Sequence, residues 1–109
     1  MNPLPLIILC TCPDLATAER IAETVVGERL AACVNIVPGL TSIYRWENRA
    51  QRDTELLLLI KTHQAVYSSL EARIRELHPY RIPEIVALPI QTGSAAYLNW
   101  IADCTGALE

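Results

Sequence analysis

Two cysteines and a histidine carry the most specific chemistry in this sequence. Cys10 and Cys12 are separated by one residue, so on a β-strand both thiols point to the same face. Soft thiolates suit Cu(I), but a metal site needs three or four ligands, and the chain has neither a CxxC pair nor two histidines close in sequence. Two interpretations therefore stay open for this pair: metal ligands, or small residues of an apolar core.

His78 stands directly before Pro79, where a predicted helix must end. A histidine at a helix C-terminus interacts favourably with the helix dipole and can cap free carbonyl groups, and a metal-ligand role is the alternative. His63, at the start of the same helix, is expected to be a solvated terminal residue. Cys33 is expected in the core, and Cys104 has a structural or incidental role.

The elements that position these residues follow from apolar periodicity and from proline breaks. In chain order they are a strand over 4–12, a helix from Asp14 to about Arg29, a long hairpin with arms at 31–46 and 54–62, a helix from His63 to His78, a strand over 85–90, and a last helix from Ser94 to Gly106. This order predicts a single α+β domain over residues 1–109, a ferredoxin-like βαββαβ sandwich with an antiparallel sheet and an extra C-terminal helix. Proline in the second and fourth strands places both at the sheet edges. The Pro38-Gly39 break in the second strand indicates an edge position or a bulge.

The predicted hairpin is too long to be covered by the helices of its own subunit. Its first arm, Ala31 to Trp46, is roughly three times the length of an ordinary strand of five or six residues. The excess must project and carry Leu40, Ile43 and Tyr44 into solvent, a liability that proteins remove by covering the edge. We therefore expect a cyclic homo-oligomer, a homotrimer, joined through the long hairpins and edge strands. The alternative is a ribbon folded back over its own sheet.

Composition excludes several function classes. The net charge is -3 with no cluster of Lys or Arg, which argues against a nucleic-acid surface. No run reaches the roughly 20 apolar residues of a membrane helix, and no basic stretch precedes the apolar N-terminal run as in a secretory signal. Cysteines within apolar segments fit a reducing compartment, so a cytoplasmic location is expected. No catalytic triad context or glycine-rich phosphate loop occurs, so an enzyme is not expected.

Several long motifs follow one another along the chain: LAACVNIVPGLTSIYRWE, ELLLLIKT, HPYRIPE followed by ALPI, and YLNW. In order and spacing, from CTCPD through Trp100, they resemble the CutA family of divalent-cation tolerance proteins. The resemblance implies a trimer with interlocking hairpins, a role in tolerance of divalent metal ions, and binding of copper as described for some members. Carried over residue by residue, the copper site corresponds to Cys10 and His78, with Leu77 where the copper-binding pattern has a second histidine.

A second hypothesis is a trimeric small-molecule sensor or interaction scaffold with clefts at the subunit boundaries. The expected lining combines Lys61, Tyr80, Arg81 and Glu84 with Tyr44, Arg45 and Trp46 from a neighbouring subunit's ribbon. Such a cleft is expected to accept a small anion. The alternative is plain packing between subunits, with Glu84 paired to a basic group.

Overall fold

The computed structural model describes residues 3–106 as one antiparallel sheet with three α-helices. The elements are β1 (Pro5–Cys12), α1 (Leu15–Gly27), β2 (Cys33–Trp46), β3 (Arg49–His63), a 3-10 turn (Gln64–Val66), α2 (Tyr67–Leu77), β4 (Val86–Pro89) and α3 (Ala95–Cys104). The strand order is β2-β3-β1-β4. The predicted α+β class and βαββαβ order are confirmed, and the proline-bearing second and fourth strands are the two edges.

Local signals in the sequence explain where the helices begin and end. The Asp14 carboxylate accepts a hydrogen bond from the Thr17 N–H over 2.8 Å and so caps α1. Ser94 caps α3 in the same way through its hydroxyl and the Tyr97 N–H. Helix α2 ends at Leu77 because Pro79 disfavours helical geometry in the residue before it.

The core lies between one face of the sheet and the helices α1 and α2. Alternate residues of β1 and β3 point into it, as the two-residue period of a strand requires. Its fully buried side chains include Ile8, Cys10, Cys12, Ile21, Val25, Leu58, Ile60, Leu70 and Ile74. The opposite face of the sheet keeps Ile7, Leu9, Leu57 and Leu59 only half-buried. One apolar face is therefore left partly open in the single chain.

The β2–β3 hairpin forms a ribbon that extends well past the helices. Pairing continues out to Trp46 opposite Arg49, and the register shifts once between Val37 and Leu40, where Pro38 and Gly39 form the expected bulge. The chain measures 47 × 26 × 22 Å, so it is clearly elongated. The turn is tighter than predicted, because it contains only Glu47 and Asn48, whereas the predicted arms end at 46 and resume at 54. Strand β3 consequently begins at Arg49 rather than Thr54.

Three other predictions are wrong in detail. His63 is buried rather than solvated, with 6% of its surface exposed, because it pairs with Pro5 of β1 and caps the 3-10 turn by accepting from the Ala65 N–H. Cys33 is half-buried rather than in the core, because the period of β2 turns it to the open face of the sheet. Strand β4 is also shorter than predicted and begins at Val86.

Candidate functional site

The thiols of Cys10 and Cys12 lie side by side at the end of β1. In the ladder between β1 and β3, Cys10 pairs with Leu58 and Cys12 pairs with Leu56. Neither cysteine side chain is exposed. Thr11, between them, points to the other face of the sheet. The predicted shared face is confirmed, and so is their burial in the apolar core. All four cysteines of the chain are free thiols.

His78 reaches the same point from the end of α2. Its Nε2 lies 2.7 Å from the Thr11 carbonyl oxygen, and its Nδ1 accepts a hydrogen bond from the Tyr80 N–H over 3.1 Å. Because a carbonyl oxygen only accepts and a backbone N–H only donates, the ring must be neutral with its proton on Nε2. The ring therefore ties the segment after α2 to β1. The sequence had suggested that this ring caps free carbonyl groups at the end of the helix. In the structure it does not.

The two thiols and the imidazole converge on one small volume. One ligand atom from each of Cys10, Cys12 and His78 can be chosen so that all three lie within 4.8 Å of one another, and all three residues are buried. The Cys12 Sγ is 4.0 Å from His78 Nε2. Metal–sulfur bonds of about 2.3 Å and metal–nitrogen bonds of about 2.0 Å require donor separations of this order. Leu77 contributes no donor and packs against the core.

The pair of thiols is electrostatically asymmetric. The pKa of Cys10 is raised above the ordinary thiol range by its hydrogen bond with Cys12, then by burial, and further by the carboxylates of Glu84 and Glu55. The hydrogen bond with Cys10 lowers the pKa of Cys12. Cys12 is thus the thiol that ionises first, and a thiolate is the form that binds metal.

A cavity of about 740 Å³ lies beside this cluster, between the ribbon and the segment after α2. Tyr44, Trp46, Tyr80 and Glu84 line it, as the sequence suggested, and Thr11 and Glu55 line it as well. The ribbon residues come from the same chain. The contribution of a neighbouring subunit's ribbon to a cleft at the subunit boundary stays a prediction.

Lys61 is not part of this cavity. It donates a hydrogen bond to the Asn35 side chain, and it lies opposite Cys33 in the β2–β3 ladder. It shares a face of β3 with Glu55, but six residues of strand separate them, which corresponds to about 20 Å. The single chain therefore does not bring Lys61 to the cavity that Tyr80 and Glu84 line.

Glu55 is the residue that sequence reasoning missed. Only 6% of its surface is exposed, and its Oε2 accepts a hydrogen bond from the Tyr80 hydroxyl over 2.7 Å. Burial, followed by this hydrogen bond, raises the pKa of Tyr80, so the phenol stays protonated and donates. One signal in the sequence could have identified it. Glu55 begins the apolar run ELLLLIK, and a carboxylate buried with such a run needs a hydrogen-bond partner.

Within residues 3–106, no helix has the length and apolar character needed to cross a membrane.

Known proteins similar to this chain share its fold and much of its sequence. The divalent-cation tolerance protein CutA of Thermus thermophilus is 54% identical over 100 residues, which cover 92% of this chain and 97% of that protein. A solved structure of the Thermus thermophilus divalent cation tolerance protein superposes with a TM-score of 0.93 at 52% identity, covering 94% of this chain and 100% of the other. The crystal structure of CutA1 from Oryza sativa gives a TM-score of 0.93 at 39% identity and covers 96% of each chain.

The family model of CutA1, described as the CutA1 divalent ion tolerance protein, matches residues 6–104. This match includes all of the residues that converge at the thiol–imidazole cluster and at the cavity. The chain therefore belongs to the CutA1 divalent ion tolerance family.

Proposed function

We propose that this protein binds copper at Cys10, Cys12 and His78 and thereby contributes to tolerance of divalent metal ions. The observation that carries the proposal is the convergence of two thiols and one imidazole, all buried, within 4.8 Å. The names of its relatives describe tolerance of divalent cations, which fits a binding protein rather than an enzyme.

The donor set favours a soft ion over a hard one. Two thiolates and one imidazole match the preference of Cu(I), whereas Mg²⁺ and Ca²⁺ require oxygen ligands. A structural Zn²⁺ site would need a fourth ligand, and within residues 3–106 this cluster offers three. Leu77, which stands where the copper-binding pattern has a second histidine, offers no donor atom. The thiol of Cys12 supplies the third donor instead. For His78 to bind the ion through Nε2, it must release the Thr11 carbonyl oxygen and move its proton away from Nε2.

Titration of the reduced protein with Cu(I), in competition with a chromophoric Cu(I) chelator, tests the proposal. We expect one Cu(I) per chain, with affinity at least tenfold weaker in Cys10→Ala, Cys12→Ala and His78→Ala. Cys33→Ala is the matched control, because it removes a half-buried thiol on the open face of the sheet. Zn²⁺ is expected to bind more weakly than Cu(I).

Absence of saturable binding by the wild-type protein would overturn the copper assignment. Equal losses in Cys33→Ala and Cys12→Ala would also overturn it, because thiol binding would then be nonspecific. Circular dichroism of each variant checks that a lost site is not a lost fold.

We also propose that the protein is a homotrimer assembled through the projecting ribbon and the edge strands. The support is the exposed apolar surface of the two edge strands, which includes Val37 of β2 at 41% and Val86 and Leu88 of β4 at 46% and 50% exposure. Surfaces of this kind mark interaction sites. Light scattering coupled to size exclusion should give about 36 kDa, three times 12.1 kDa. A monodisperse monomer would contradict the proposal.

A cytoplasmic location is part of the same proposal. The free thiols at Cys10 and Cys12 are stable in a reducing compartment, and the site requires them reduced. A related CutA structure, from Archaeoglobus fulgidus, is described as periplasmic. Fractionation of cells with an antibody to the protein distinguishes the two locations.

A further inference from the structure

The cavity beside the ribbon has the size and walls of a small-molecule site. Its volume of about 740 Å³ falls within the roughly 300–1,000 Å³ that such sites occupy. One wall is the ribbon, and the other is the segment 79–84, which contains Pro79 and Pro83. Because proline restricts the backbone, this second wall is held in shape without a ligand.

Three aromatic rings, those of Tyr44, Trp46 and Tyr80, line the cavity. The Arg81 guanidinium already lies 5.7 Å from the centre of the Trp46 ring. Attraction between a cation and the face of an aromatic ring explains this placement. This aromatic wall therefore stabilises a positively charged group that lies against it.

The charged groups of the lining carry an excess of negative charge. Glu55 and Glu84 contribute two carboxylates, whereas Arg81 contributes the one cation among the lining residues. Glu55 is held in place through its Oε2 by the Tyr80 hydroxyl. Among residues 3–106, no side chain or backbone N–H donates to its Oε1, and Glu84 forms no ion pair. Two carboxylates are thus available to a ligand.

We infer that this cavity binds a small organic amine. Its ammonium group would sit between Glu55 Oε1 and the Glu84 carboxylate, with its apolar body against Tyr44, Trp46 and Tyr80. A small anion, the ligand expected from the sequence, would instead meet two carboxylates and an arginine already stacked on Trp46. The amine site shares no ligand with the copper site, whose thiols lie on the other face of β1.

Three probes of nearly one shape test the inference on the metal-free protein in its native assembly. Isothermal titration with 2-phenylethylamine, 2-phenylethanol and phenylacetate separates the effect of charge from that of the apolar ring. We expect the amine to bind at least tenfold more tightly than the alcohol, and the acid to bind least. Equal or tighter binding of phenylacetate would overturn the inference.

Variants then locate the binding. Glu55→Gln preserves the acceptor for the Tyr80 hydroxyl while removing the charge, and Glu84→Gln changes an exposed residue that forms no ion pair within residues 3–106. Each should weaken amine binding at least fivefold, whereas Glu19→Gln on the outer face of α1 should leave it unchanged. An unchanged affinity in both cavity variants would overturn the site.

The two tryptophans of the chain provide an internal control. On amine binding, the Trp46 indole N–H resonance should shift, while that of Trp100, on α3 beside Tyr97, should not. A crystal structure of the assembly in which a second copy's side chains fill the cavity, together with no amine binding, would assign the cavity to packing between subunits and overturn the inference.

Discussion

His78 Nε2 donates a hydrogen bond to the Thr11 carbonyl oxygen, which belongs to the residue between the two buried cysteines. In the chain the two residues are 67 positions apart. This one bond fixes the end of α2 against β1 and, as a consequence, places the imidazole 4.0 Å from the Cys12 sulfur. The same ring is therefore a structural tie and a candidate metal ligand.

Replacing His78 by alanine should destabilise the metal-free protein. The change leaves the buried Thr11 carbonyl oxygen with only a long contact of 3.9 Å from the Cys10 thiol, and it removes the acceptor of the partly buried Tyr80 N–H. We expect a loss of about 2 to 4 kcal/mol in the free energy of unfolding, measured by urea denaturation. His78→Asn, whose side-chain oxygen can still accept from the Tyr80 N–H, should lose less. If both variants match the wild type, the tie between α2 and β1 contributes nothing to stability.

The sequence alone predicted that the two cysteines of this site lie together, but it did not predict their contact with His78. The shared face of Cys10 and Cys12 follows from the two-residue period of a strand and needs no tertiary information. The contact with His78 depends on how α2 packs across the sheet, and no local pattern encodes that. The same limit explains Glu55, whose partner Tyr80 lies 25 positions away.

Glu47 lies at an unfavourable backbone position at the tip of the ribbon. Its φ is 52° and that of Asn48 is 63°, so both residues of the turn are left-handed. This conformation favours Asn and Gly, and costs other residues roughly 1–2 kcal/mol. Glu47→Asn should therefore raise the midpoint of thermal unfolding at fixed protein concentration.

Glu76→Asn is the matched control for the turn, because it makes the same chemical change within a helix. It removes the ion pair with Arg73 and lowers helix propensity, so its midpoint should fall slightly. A fall in both variants would show that the strain at Glu47 is not relieved by asparagine.

The length of the hairpin was predictable, but its turn was not. Alternating apolar and β-branched residues indicated the long arms, and Pro38-Gly39 indicated the bulge. The turn lacks glycine, so the polar run after Trp46 looked like a broad bend. In fact residues 49–53 pair with β2, because polar side chains are tolerated on both faces of a ribbon that projects beyond the helices.

His63 should make stability depend on pH. Burial lowers its pKa below the ordinary value of about 6.5. The folded state thus favours the neutral ring, and the unfolded chain binds the proton first as the pH falls. The stabilisation is present above pH of about 6.5 and is lost as the pH falls from there through the lower folded pKa.

Urea denaturation between pH 7 and pH 5 measures this dependence. His63→Asn keeps an acceptor for the Ala65 N–H but cannot titrate, so its free energy of unfolding should fall less steeply over this range than that of the wild type. Parallel slopes would contradict the assignment to His63.

Arg29 holds the end of α3 against the loop after α1. Its side chain donates to the carbonyl oxygens of Gly106 and Asp103, each over 2.9 Å, and its own carbonyl accepts from the Gly106 N–H. It does so with a φ of 61°, a left-handed backbone that favours glycine. At Arg29 the side-chain hydrogen bonds therefore stabilise the folded state, whereas the strained backbone destabilises it.

Two substitutions separate these effects. Arg29→Ala removes the side-chain bonds and keeps the strain, so it should cost about 2 kcal/mol in the free energy of unfolding. Arg29→Gly removes both and should be more stable than the alanine variant by about 1 kcal/mol. Amide exchange in α3 should accelerate in both variants, because both lose the side-chain bonds to Asp103 and Gly106. If glycine is no better than alanine, the left-handed backbone at residue 29 is not strained, and the side chain alone decides its contribution.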